Sequence, residues 1–175
     1  MDQLSPYRHP TPPEATRFAH ADNGHLDADA AVAGLVAVIP LGVTLDFISL
    51  TGLPRVDLAS RFAVTIAGQT AVGLGASLMG WLACALLGVA IALTYVRSLA
   101  RLFTGTGALT GMLHGLVVWV GAVTSAWLYA GTLDGVDLPV AVSLGAGFAV
   151  YGATMGALVR WFVLRTAENH ARRMW

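Results

Sequence analysis

Few side chains in this chain of 175 residues combine reactive chemistry with a place inside an apolar run. Asp46 is the one acid inside such a run and His114 the one histidine; Cys84 is the single cysteine. A carboxylate in hydrocarbon is expensive, so Asp46 either relays ions or protons or pins the structure to a basic partner, for which Arg55 and Arg61 are the candidates. On helical spacing His114 shares a face with Gly111, Val118, Gly121 and Ser125, and that small-residue face points into protein. There the imidazole can form a structural hydrogen bond, handle a proton or substrate, or ligate a cofactor. Bis-histidine haem needs a second buried histidine, and this chain has none to supply it, so no haem or pigment is expected at His114 and no cofactor elsewhere. Gln69 lines a pore if its segment re-enters the bilayer, and otherwise sits at the interface. There is no phosphate-binding glycine loop, HExxH, serine elbow or carboxylate pair, and no enzyme is expected.

The remaining composition narrows the field further. With 56% hydrophobic and only 11% charged residues the chain is unlike ordinary soluble domains. Ten basic residues, all arginine, balance ten acids, which leaves no net field to attract nucleic acid. One cysteine permits no intrachain disulfide, and the histidines of the N-terminal segment are too widely spaced for a metal motif.

The elements that must position these residues follow from the apolar runs. The composition predicts an all-α integral membrane bundle of four transmembrane helices with a short amphipathic outer segment after the first. Residues 1–30, polar and proline-bearing, read as an extended tail, retained because no apolar run follows the start closely enough for a signal peptide. The transmembrane domain covers residues 31–163, and residues 164–175 form a basic C-terminal tail. The first span is expected over 31–51 and contains Pro40, which removes one backbone hydrogen bond and bends the helix. The uncharged run from Phe62 to Val96 would make ~52 Å of helix, too long for a ~30 Å hydrocarbon core. It divides into a surface or re-entrant helix over 57–70 and a second span over 73–96. The third and fourth spans fall at 108–130 and 139–159. In this frame Asp46 and His114 lie roughly 14 Å apart in depth and do not pair.

Gly107, Gly111 and Gly115 recur every fourth residue, as do Gly152 and Gly156. In lipid such spacing lets helix backbones approach closely, either within the bundle or between copies. A weak duplication is visible as well: Val56-Asp57-Leu58 in one loop returns as Val136-Asp137-Leu138 in the other. Placing both termini in the cytoplasm of a plasma (inner) membrane puts eight of the ten arginines inside, in keeping with the positive-inside rule. Tyr95, Trp161 and Phe162 then mark the inner boundary, and Phe47, Trp127 and Tyr129 the outer one.

Ala33-Gly34-Leu35, Leu53-Pro54, Gly80-Trp81, Trp119 and Tyr151-Gly152-Ala153-Thr154-Met155-Gly156 together resemble a group of uncharacterised small four-helix prokaryotic membrane proteins, over residues 31–163. The resemblance implies an integral membrane protein of that architecture and assigns it no activity. The leading functional expectation is a non-catalytic accessory subunit of a larger membrane complex, such as a respiratory or photosynthetic one. Its partners would be the lipid bilayer and either other membrane subunits or further copies of itself. A small homo-oligomeric transporter or channel, and a membrane protein that binds a cofactor, lipid or quinone, stand as alternatives.

Overall fold

Lipid offers a peptide group no hydrogen-bonding partner, so a chain this apolar must satisfy its backbone within helices. The computed structural model describes residues 12–68, 73–98, 107–130 and 137–173, giving only the backbone for 12–23, 126, 127, 129, 130 and 167–173. The described residues form α1 (Pro12–Ser49), α2 (Leu58–Ala67), α3 (Leu74–Ser98), α4 (Gly107–Ala130) and α5 (Leu138–Arg173). Four of these are long and apolar enough to cross a membrane, within Gly24–Ser49, Leu74–Ser98, Gly107–Ser125 and Leu138–Thr166. The short α2 follows the first of them, as the length of the apolar run requires.

The ends differ from expectation. α1 starts at Pro12, so residues 12–30 are helical and not extended. Pro12 and Pro13 occupy the first turn, where a missing N–H leaves no hydrogen bond unmade. The helix runs on through Pro40, and the Thr44 hydroxyl bonds the Pro40 carbonyl at 2.7 Å. At the other terminus α5 continues to Arg173, so most of the segment read as a C-terminal tail prolongs the last helix. Two contacts hold these extensions. Asp27 pairs with Arg97 at 2.9 Å, tying α1 to the end of α3, and the Arg165 guanidinium lies 5.1 Å from the Trp161 ring.

The helices form a curved row in which α1 packs between α3 and α5, α4 packs on α5, and α2 covers α3. Neighbours in the row run antiparallel, and glycine sets the closest approaches. A Cβ at Gly107 would lie 2.5 Å from the Gly156 carbonyl oxygen; at Gly111 and Gly115 it would overlap the carbonyls of Gly152 and Phe148. Across α1 and α3, a Cβ at Gly34 would come within 2.5 Å of the Gly88 carbonyl oxygen. The core beneath these crossings is built on Tyr151, Met155 and Ser143, the largest fully buried side chains. Of the duplicated tripeptides, the first opens the ten-residue α2 and the second the long α5, with Asp57 and Asp137 each just before the helix start.

Candidate functional site

Two places gather polar side chains against the apolar frame. The first is the corner where α1 ends and α2 begins. Asp57 caps α2: one carboxylate oxygen accepts from the Ser60 N–H at 3.0 Å, the other from the Ser60 hydroxyl at 2.6 Å. Those two bonds hold the Asp57 carboxyl below the usual carboxylate range. Capping in this position directs residues 55–57 back over the end of α1. There the Arg55 guanidinium meets Asp46 at 3.2 Å, in a pair whose side chains are 71% and 66% exposed. The other basic candidate, Arg61, is exposed on α2, where its carbonyl accepts from Thr65.

Between these charges and α3 the packing leaves a cleft of about 190 Å³. Its floor is the α1 stripe Val38, Leu41 and Leu45 with Val56 and Cys84, all buried. One wall is Trp81, half exposed, whose ring edge would stand 3.2 Å from a Cβ at Gly42. Asp46, Arg55 and Asp57 also line it. Ala59 of α2 sits directly on Gly80 of α3, which fixes α2 against α3 at that point, and the Trp81 ring fills the space beside Gly42 of α1.

The second place is the narrow contact between α3 and α4. His114 is 7% exposed, and its Nε2 lies 3.3 Å from the Ile91 carbonyl oxygen. Because a carbonyl only accepts, Nε2 carries the proton and the buried Nδ1 presents a lone pair, which has no partner among the described residues. Tyr95 lies beside the imidazole, tilted 48° to it with ring centroids 5.5 Å apart, and its hydroxyl is 2.8 Å from Thr110 Oγ1. Tyr95 is itself buried within the bundle, with its hydroxyl turned to α4.

The structure brings Asp46 and Arg55 together and places His114 in the separate α3–α4 contact. Gly107, Gly111, Gly115, Gly152 and Gly156 face one another along α4 and α5. Gln69 lies outside the described residues. Trp81, Cys84, Asp57 and Tyr95 complete the two places, and the sequence pattern had not singled them out as a site. Among the described residues no three His, Cys, Asp or Glu side chains converge as metal ligands would.

The four long apolar helices define a membrane helical bundle. No family model, curated protein or solved structure matches this chain.

Proposed function

We propose that this protein is a non-catalytic subunit of a larger membrane assembly, such as a respiratory or photosynthetic electron-transport complex. Its work would be done by its outer faces. The observation that supports this reading is where the polar groups within the spans spend their hydrogen bonds. Thr44, Thr94 and Ser143 bond carbonyls of their own helices. Trp119 donates to the Ala141 carbonyl at 3.0 Å and Tyr151 to the Gly88 carbonyl at 2.6 Å, while His114 is engaged with Ile91. The bonds of Trp119, Tyr151 and His114 join one helix to another, and those of Thr44, Thr94 and Ser143 satisfy the hydroxyls locally, so these described side chains are engaged within the protein. Large apolar residues meanwhile point outward, as Ile39, Val43 and Phe47 do on α1 and Leu109, Leu113 and Val117 do on α4. The arginine distribution supports a plasma (inner) membrane location with both termini in the cytoplasm.

The test is native mass spectrometry after gentle extraction from the native membrane. A complex with foreign subunits at fixed stoichiometry is expected. A protein that emerges alone, or only as copies of itself, overturns the proposal and returns the choice to a homo-oligomeric transporter. Asp46→Asn and His114→Ala in liposome flux would then decide whether those residues carry it.

A further inference from the structure

We infer that the cleft between α1, α2 and α3 binds a small organic cation with an apolar body, an ammonium compound of about one ring. The inference stands apart from the subunit reading and uses only the cleft.

Size sets the first limit. An engineered apolar cavity of roughly 150 Å³ accepts benzene. The cleft, at about 190 Å³, takes one ring with a short polar head. Its buried floor of Val38, Leu41, Leu45 and Val56 offers the ring dispersion contact, with the weakly polar thiol of Cys84 beside them.

Charge sets the second limit. Two carboxylates, Asp46 and Asp57, line the cleft against one guanidinium, Arg55, so its balance is negative by one. Asp57 is fixed by Ser60 and stays ionised. Asp46 meets Arg55 through an exposed pair of the kind that contributes little to stability, so an incoming ammonium can take Asp46 while Arg55 swings into water. Trp81 also lines the cleft, and its indole, half exposed, is of the ring type that attracts ammonium groups best. An anion would meet two carboxylates against one arginine.

Arg55 makes the sign of the ligand testable. The full chain in nanodiscs is titrated with radiolabelled benzyltrimethylammonium, counting only what exceeds empty discs. Saturable binding with one site per chain is expected. Asp46→Asn should weaken it about threefold and Trp81→Leu about tenfold, while Arg55→Gln should tighten it about threefold, by removing the competing cation. A gain in affinity cannot arise from misfolding, which makes the Arg55 variant the decisive one. Absence of saturable binding to the folded wild type overturns the inference. So does weaker binding in Arg55→Gln, or displacement of the probe by benzoate. Discs of phosphatidylethanolamine and of phosphatidylglycerol are compared: equal binding in both supports a free cation, and competition by phosphatidylethanolamine, whose headgroup has no ring, overturns the inference.

Discussion

The seam between α4 and α5 and the corner between α1, α2 and α3 are made from the same apolar vocabulary and reach opposite results. Along the seam, glycine faces glycine at two successive turns and Gly115 meets the Phe148 carbonyl at the third, so backbone meets backbone and no volume is left. At the corner, one tight point at Gly80 under Ala59 is followed by Leu, Val, Trp and Cys side chains of unequal size, and a cleft with a charged lining remains. Small residues in register on both helices seal them, whereas small residues set against large ones leave a void.

The comparison breaks most readily at the seam. Gly111→Ala pushes a methyl group into the Gly152 carbonyl and should cost about 1–3 kcal/mol, read as a lower midpoint of denaturant unfolding in detergent. Gly121→Ala, on the same helix but with nothing within 4 Å, should be neutral or slightly stabilising. Equal effects from the two would show that the seam is not close-packed. Next in size, Tyr151→Phe removes the hydrogen bond from α5 to the Gly88 carbonyl of α3 and should cost about 1 kcal/mol by the same measurement.

The corner should respond more weakly and more locally. Asp57→Ala removes the cap and should cost about 1 kcal/mol, seen as faster amide exchange confined to α2. The effect carries a pH signature. Bonds from Ser60 favour the ionised carboxyl, so the cap is complete above the ordinary carboxylate range and fades as pH falls through the depressed folded value. Protection of α2, corrected for intrinsic exchange, should therefore drop below that range while the seam stays protected. The smallest change is expected from Arg55→Ala, within about 0.5 kcal/mol, because its pair with Asp46 is exposed. A larger loss would mean that the pair clamps the corner.

The spans were legible because length and hydropathy suffice for them. The division of the long run from Phe62 to Val96 into α2 and α3 followed from bilayer thickness alone. The glycine spacing of α4 and α5 was equally visible, since a four-residue period is local. Which glycine faces which was not, because Gly34 on Gly88 and Gly80 under Ala59 join residues far apart in sequence and no apolar stripe distinguishes a buried face from one facing lipid. The cleft was hidden for the same reason: Trp81 and Cys84 are ordinary members of an apolar helix until α1 and α2 close over them. The helical start at Pro12 is hidden by the polar composition of residues 12–30, against which proline's preference for a first turn is a faint local cue.

The polar contact between α3 and α4 has a consequence for synthesis. Chains are made from the N-terminus, and the glycine face of α4 has no partner until the matching face of α5 has left the ribosome. During that interval α4 can be held through Tyr95 meeting Thr110 and His114 meeting Ile91, two contacts to a helix made before it. The narrow α3–α4 contact is thus one that needs no part of α5 to form, unlike the glycine seam.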